Sequence, residues 1–255
     1  MGMRGEAGAH CGPAGGVGEF GQMRHPRLLV LEAEAVTAMS AMVGALDMAL
    51  ESLAYSDARC APTADQLGIG VPCASDLQEQ IVDALSEMPP LALRRLSALL
   101  SVVSSMERIA LHCAAIADLV PDLAPAVRGD PATRRAVELA GVQTRARLVH
   151  ARDLLQAWSS SWGPTVSCGH TDDADADGGL LGLAAITARL PHGSSMAAAL
   201  PLLVEDLGHV DDEAEEIAEL VSRGRSRWGG PSGSAELDSP LGLSSGVLTV
   251  SVGAP

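Results

Sequence analysis

Residues 106–120 read MERIALHCAAIADLV, and residues 207–221, which lie 101 positions further on, read LGHVDDEAEEIAELV. Both stretches place apolar residues three and four positions apart, which puts them on one side of an α-helix. At this offset four apolar residues of the first stretch coincide with identical residues of the second, at positions 116, 117, 119 and 120. The sequence therefore predicts an internal repeat whose unit ends in a long amphipathic helix.

The same spacing extends over four long stretches of the chain. Their apolar residues run from Val36 to Leu53, from Leu96 to Val120, from Val137 to Trp158 and from Met196 to Val221. Shorter helices fit 76–88 and 177–190. Asp130 and Pro131 are a suitable N-cap and first-turn pair for the third long helix. Pro201 either kinks the fourth or marks a later start for it.

The order long, short, long occurs twice, so we predict an all-α protein of two tandem antiparallel three-helix bundles. The first repeat is expected at 24–126 and the second at 127–224. The leader 1–23 is rich in Gly, and the tail 225–255 is rich in Gly, Ser and Pro. Both ends are predicted to be disordered.

Composition supports helices and excludes several functions. Apolar residues make up 47% of the chain but aromatic residues only 2%, which disfavours a β-sandwich or barrel. The net charge of −15 opposes binding to a nucleic-acid backbone, so no nucleic-acid partner is expected. All 17 basic residues are Arg, which excludes a lysine nucleophile and a P-loop lysine.

The cysteines and the hydropathy pattern predict a cytoplasmic location. The five cysteines are widely spaced and include no Cys-x-x-Cys pair, which favours reduced thiols. No apolar run approaches the ~20 residues that span a bilayer, so direct membrane insertion is not expected. The chain also lacks a Gly-x-Ser-x-Gly elbow and a Gly-rich phosphate loop, and we expect no enzyme activity.

In the first repeat, residues 87–94 read EMPPLALR, Glu107-Arg108-Ile109 follows, and Ile116-Ala117 comes next. These three segments resemble the PhoU family of phosphate-signalling regulators. The family typically carries a segment ending in Asp-Leu-Arg, then Glu-Arg-Ile-Gly-Asp with Ile-Ala beyond it. The resemblance marks Arg94, Glu107 and Arg108 as family-motif positions. It implies two tandem three-helix bundles and a cytoplasmic, non-enzymatic regulator of phosphate uptake and phosphate-starvation signalling. The implied partners are the ATPase of the phosphate ABC transporter and a sensor histidine kinase.

Departures from the family pattern concern metal binding. Family members bind iron or other metals through carboxylates four positions apart, which share one helix face. Here Leu111 and Gly208 replace two of those carboxylates, and Ala92 stands in the Asp-Leu-Arg motif. In the second repeat an iron or other divalent metal site remains open at Asp173, Asp177 and Asp212. The alternative is a solvated acidic cap at a helix N-terminus.

Other motifs leave alternatives open. Asp173 also begins an EF-hand-like loop, but Ala184 stands where that loop needs a Glu. Arg94 and Arg95 are expected to form structural salt bridges rather than bind an anion. The acidic run from Glu205 to Glu219 is either a solvated helix face or a docking surface for a basic partner.

The functional alternatives are a metal-binding bundle for storage or sensing and a diverged paralogue that kept only the fold. A homodimer is open as well, because the spacing of the apolar residues does not distinguish packing within a chain from packing between chains.

Overall fold

The structure, a computed structural model, describes residues 25–55, 71–160, 178–190 and 195–228. These segments form six α-helices and contain no strand. The helices are α1 (Pro26–Ala54), α2 (Val71–Leu85), α3 (Pro90–Gly129), α4 (Pro131–Ser160), α5 (Gly178–Thr187) and α6 (Ser195–Trp228).

Two contacts show that α1 runs antiparallel to α2 and that α3 runs antiparallel to α4. Arg27 at the start of α1 pairs with Glu87, just beyond the end of α2. Arg95, near the start of α3, donates to the backbone carbonyl of Trp158, near the end of α4. A four-residue connection joins α2 to α3, and a single residue, Asp130, joins α3 to α4.

The four long helices pack side by side in the cyclic order α1, α3, α6, α4. Helix α2 covers the α1 and α3 side of this arrangement, and α5 covers the α4 and α6 side. Helices α1–α3 and α4–α6 are thus two antiparallel three-helix bundles joined along their long helices, which confirms the predicted fold class. Within the described residues, neither short helix covers the side between α3 and α6 or the opposite side between α1 and α4.

The predicted apolar stretches form the core. On the apolar side of the four predicted long helices nearly every residue is buried, and Val36, Leu50 and Met196 are half-buried. Burial also follows the repeat. Six buried residues of 106–120 are each followed, 101 positions later, by a residue that is buried as well. They are positions 106, 109, 110, 113, 116 and 120. The repeat predicted from a few identities is therefore a repeat of packing positions.

Two of the long helices contain prolines in their interior. Helix α3 continues through Pro121 and Pro125, because Leu123 and Val127 beyond them are buried in the core. Likewise, α6 begins at Ser195 and includes Pro201, so the later start is wrong.

The predicted division into 24–126 and 127–224 stays a prediction, and its boundary falls in the last turn of α3. Residues 225–228 belong to α6, which corrects the predicted start of the tail. The leader 1–23 and the rest of the tail lie outside the described residues.

Asp130 ends one helix and begins the next, as its place before Pro131 predicts. Its backbone N–H donates to the carbonyl of Ala126 and closes α3. Its carboxylate accepts from the backbone N–H groups of Ala132 and Thr133 and, at 2.5 Å, from the Thr133 hydroxyl. These bonds satisfy donors of the first turn of α4 and hold the pKa of Asp130 below its ordinary value.

Among the described residues, two helices are long and apolar enough to span a membrane by length and composition alone, which the sequence expectation did not include. They are Pro26–Ala54 and the Ala92–Gly129 part of α3. Within the apolar window of each helix, 44% and 50% of the residues are buried inside the protein. Core helices of soluble proteins pass the same test. The absence of direct membrane insertion therefore stays a prediction.

Candidate functional site: the face between α3 and α6

The antiparallel pairing of α3 with α6 creates an open surface, here named the α3/α6 face. In this register Ser105, Arg108 and His112 of α3 lie opposite Glu216, Glu213 and His209 of α6. Neither α2 nor α5 covers this side of the molecule. The motif residue Arg108 therefore lies at the contact between the two repeats, on a side that neither described short helix covers.

Arg108 links the two long helices through a charged network. Its Nη2 donates to Glu213 Oε2 at 2.7 Å, to Glu216 Oε2 at 2.9 Å and to Ser105 Oγ at 3.0 Å. The Ser105 hydroxyl in turn donates to Glu216. The hydrogen bond with Glu213 is the largest cause of the raised pKa of Arg108, so the guanidinium stays charged.

Glu213 is the more buried partner, with 17% of its side chain exposed. Burial acts to raise the pKa of Glu213, but the hydrogen bonds from Arg108 and the charge of its guanidinium outweigh that effect. The pKa of this carboxyl consequently lies below its ordinary value. The network is thus a built ionic contact between the repeats.

A pair of histidines, one on α3 and one on α6, extends this network along the contact between the two helices. The rings of His112 and His209 stack with their centroids 4.7 Å apart. His112 Nδ1 lies 2.9 Å from Asp206 Oδ1, and His209 Nε2 lies 3.9 Å from a carboxylate oxygen of Glu205. Each ring therefore has a carboxylate of α6 beside it.

The neighbouring motif residue, Glu107, faces a different helix. Its Oε1 accepts a hydrogen bond of 3.0 Å from the Ser75 hydroxyl of α2. Glu107 thus holds the first bundle together, whereas Arg108 holds the two bundles to each other. The adjacent motif residues Glu107 and Arg108 therefore take part in two different structural contacts.

The two adjacent arginines of α3 also separate. Arg95 is buried, pairs with the buried Glu32 of α1, donates to the Trp158 carbonyl at 2.6 Å and lies 4.4 Å from the centroid of the Trp158 ring. The expected salt bridge is confirmed for this residue. Arg94 is exposed and forms no ion pair with another described residue.

The structure places only one of the three predicted metal ligands. Asp212 is exposed on α6, while Asp173 and Asp177 lie outside the described residues. Among the residues that are described, no group of three or more His, Cys, Asp or Glu side chains converges as a metal site. Leu111, which stands where the PhoU motif would have an Asp, is 53% exposed on α3.

The α3/α6 face is strongly acidic. Between Glu205 and Glu219, α6 contains eight carboxylates and no arginine. Five of these carboxylates belong to exposed residues, at positions 205, 212, 215, 216 and 219. Arg108 neutralises only part of this charge, so the face presents a negative potential to solvent.

Sequence reasoning missed the pairing of Arg108 with Glu213 and the stacked histidines. The 101-residue offset contained a usable signal. A repeat related by a twofold rotation pairs its equivalent helices antiparallel, which brings the middle of 106–120 onto the middle of 207–221. Pairing the two stretches in this way places Arg108 beside the acidic run from Glu205 to Glu219.

Comparisons with known proteins agree with this architecture. No family model and no curated protein matches the sequence. Among solved structures, the crystal structure of PhoU from Pseudomonas aeruginosa is similar, with a TM-score of 0.61 and 18% sequence identity. The likeness covers 78% of this chain and 98% of that chain. The six-helix arrangement and this likeness together establish that the chain has a PhoU-like fold.

Proposed function

We propose that this protein is a non-enzymatic, cytoplasmic regulator of phosphate uptake and phosphate-starvation signalling that acts by binding other proteins. The observation that carries the proposal is the structural likeness to PhoU over 98% of that chain. The motif residues Glu107 and Arg108 support it, because they lie in contacts that hold this fold together.

The partners under this proposal are the ATPase of the phosphate ABC transporter and a sensor histidine kinase. The regulator would bind one state of the kinase more tightly than the other and so shift the kinase population while phosphate is plentiful. The α3/α6 face is the surface we assign to one of these partners. Its exposed carboxylates favour a partner surface rich in Arg or Lys.

The environment of Cys113 supports a binding role for the bundle rather than thiol chemistry. Cys113 is fully buried in the seam of α3. Burial, with a contribution from the charge of Asp206, raises the pKa of its thiol to about 12. Because the thiolate is the reactive form, this cysteine serves as a small apolar core residue.

The proposal is tested with a phosphate-starvation reporter in a strain that lacks the gene, grown in abundant phosphate. We expect the reporter to be derepressed and the wild-type chain to silence it again. A reporter that stays silent in the deletion strain overturns the signalling role and leaves the diverged paralogue.

Complementation with charge-reversed variants tests the assigned surface. We expect the variant Glu205→Arg with Asp212→Arg to fail to silence the reporter, because both residues are exposed and lie within one helical turn of His209, which stacks on His112 of α3. The matched control is Glu79→Arg with Asp83→Arg, which reverses two exposed carboxylates on α2. Immunoblots establish that all variants reach equal levels. Equal silencing by both variants removes the α3/α6 face from the proposal without removing the regulator itself.

A further inference from the structure

The ring of His209 is an exposed aromatic surface on the α3/α6 face. It stacks on the ring of His112, with the centroids 4.7 Å apart and the planes inclined by 23°. Although His112 covers one side of this ring, the side chain of His209 is 49% exposed. The exposed part is therefore the other side of the ring and its edge. A flat aromatic group thus faces solvent at the contact between the two repeats.

The ring of His112, on which His209 stacks, is itself held in place. Its Nδ1 lies 2.9 Å from Asp206 Oδ1. The side chains of His112 and Asp206 are more buried than that of His209, with 27% and 16% exposed. A surface supported in this way loses little side-chain freedom when a ligand packs against it, which reduces the free-energy cost of binding.

Two exposed carboxylates flank the His209 ring along α6. Glu205 precedes His209 by four positions and Asp212 follows it by three, so all three side chains lie on the same side of the helix. A carboxylate oxygen of Glu205 lies 3.9 Å from His209 Nε2. Asp212 forms no ion pair with another described residue. The exposed ring consequently has negative charge on both sides, one helical turn away in either direction.

A planar cation fits this arrangement better than a compact one. The guanidinium of arginine stacks on an aromatic ring, and its N–H groups then point outward in the plane toward carboxylates beside the ring. The ammonium group of lysine has no flat side to stack and no fixed fork of donors. We propose that Glu205, His209 and Asp212 bind an arginine side chain of a partner protein. This inference rests on the proposed function, which assigns the α3/α6 face to a partner.

The protein contains the same combination of groups in its interior. Arg95 lies 4.4 Å from the centroid of the Trp158 ring and pairs with the carboxylate of Glu32. A ring and a carboxylate together therefore hold a guanidinium within this fold. On the α3/α6 face the ring and the carboxylates are present, and the guanidinium comes from the partner.

The surroundings of the site favour an external arginine. Arg108, on the same face, already donates to Glu213 and Glu216. Neither described short helix covers this side of the molecule. Leu202, two helical turns before His209, is 49% exposed and offers an apolar contact next to the charged site. Apolar contacts around a charged anchor exclude water and strengthen it.

The test compares two short synthetic peptides that carry either arginine or lysine at the same positions. Their affinities for the full chain are measured by fluorescence anisotropy at about pH 8, where an ordinary imidazole is uncharged. We expect the arginine peptide to bind about fivefold more tightly, because only arginine both stacks and donates in the plane. Glu205→Arg with Asp212→Arg should weaken both peptides about tenfold or more.

Variants of the ring separate stacking from charge. His209→Leu removes the flat surface and should reduce the preference for arginine to about twofold or less. His209→Phe restores a ring and should restore the preference. The matched control is His150→Leu, which changes an exposed histidine of α4 and should leave the preference unchanged. Circular dichroism establishes that all variants stay helical.

Failure of this inference is distinguishable from failure of the proposed function. Equal affinities of the two peptides, no binding of either, or a preference that survives His209→Leu overturns the arginine site. A preference that His150→Leu abolishes overturns its assignment to His209. A silent reporter in the deletion strain, together with an intact preference, rejects phosphate signalling and keeps the site. A derepressed reporter without the preference keeps the regulator and rejects the site.

Discussion

Gly179 lies where α5 approaches α4 so closely that a side chain does not fit. A Cβ at this position would lie 2.7 Å from both the Cα and the N of Ala140. The Gly179 N–H donates to Gln143 Oε1 at 2.9 Å, which fixes the start of α5 on α4. Gly179→Ala should therefore lower the free energy of unfolding by about 1–3 kcal/mol, because backbone atoms must move apart. Thermal or urea denaturation measures the loss.

The control for this prediction lies in the same helix. Gly182 has no atom within 4 Å of the position that a Cβ would occupy. Gly182→Ala should stabilise the protein by up to ~1 kcal/mol, because alanine has the higher helix propensity. A similar melting temperature for the two variants would contradict the close approach at Gly179.

Single residues also show the limit of sequence reasoning. The spacing of apolar residues predicts that Trp158 is buried, and a structural salt bridge is expected separately for Arg94 and Arg95. The structure confirms the burial of Trp158 and the salt bridge of Arg95. The partner of Arg95 is Glu32, 63 positions away, and the third member is the Trp158 carbonyl near the end of α4. The spacing of apolar residues indicates which side of a single helix is buried. The partners of Arg95 depend on how α1, α3 and α4 are aligned along their axes, and the spacing does not show that alignment.

At the scale of helices, the contact between α3 and α6 predicts a specific loss of stability in acid. The pKa of Glu213 is lower in the folded protein than its ordinary value, so the folded state favours the carboxylate. Its stabilising contribution is fully present above the ordinary pKa of about 4.5 and is lost as the pH falls through the lower folded value. We expect about 1 kcal/mol at neutral pH, since Arg108 is partly exposed and solvent screens the pair.

The measurement compares urea unfolding of the wild-type protein and Glu213→Gln across the acidic range. The two curves should differ at neutral pH and converge below the folded pKa of Glu213. Asp130, whose pKa is also lowered, contributes equally to both curves. The control is Glu215→Gln, which removes an exposed carboxylate of the same helix and leaves the hydrogen bonds between Arg108 and Glu213 in place. A constant difference between wild type and Glu213→Gln at all pH values would contradict the ionic contact.

Helix existence was predictable and helix ends were less so, for a physical reason. Apolar spacing identified all four long helices because burial of one side stabilises them. The apolar residues recognised for α3 stop at Val120, whereas the helix runs to Gly129. Proline disfavours a helix locally, but Leu123, Ala124 and Val127 beyond Pro121 are fully buried. Tertiary packing overrides the local preference, and sequence spacing alone does not weigh one against the other.

For the molecule as a whole, the sequence predicted two three-helix units and left open how they join. The joining surface is most of the core, because buried residues of all four long helices belong to one continuous apolar cluster. A repeat unit on its own would expose the sides of α1 and α3 that pack against α4 and α6. The two repeats are thus halves of one packed structure rather than independent domains.

This shared core predicts one unfolding transition for both repeats. Ile217 of α6 and Cys113 of α3 lie in opposite repeats, and both are fully buried. Ile217→Ala should destabilise the protein by ~2–5 kcal/mol through the cavity it creates. It should expose the Cys113 thiol at the same lower urea concentration at which helicity is lost. The measurement follows helicity by circular dichroism and thiol labelling in a chain whose other four cysteines are replaced by Ser. Two separate transitions, with Cys113 protected while α6 unfolds, would show instead that each repeat is stable by itself.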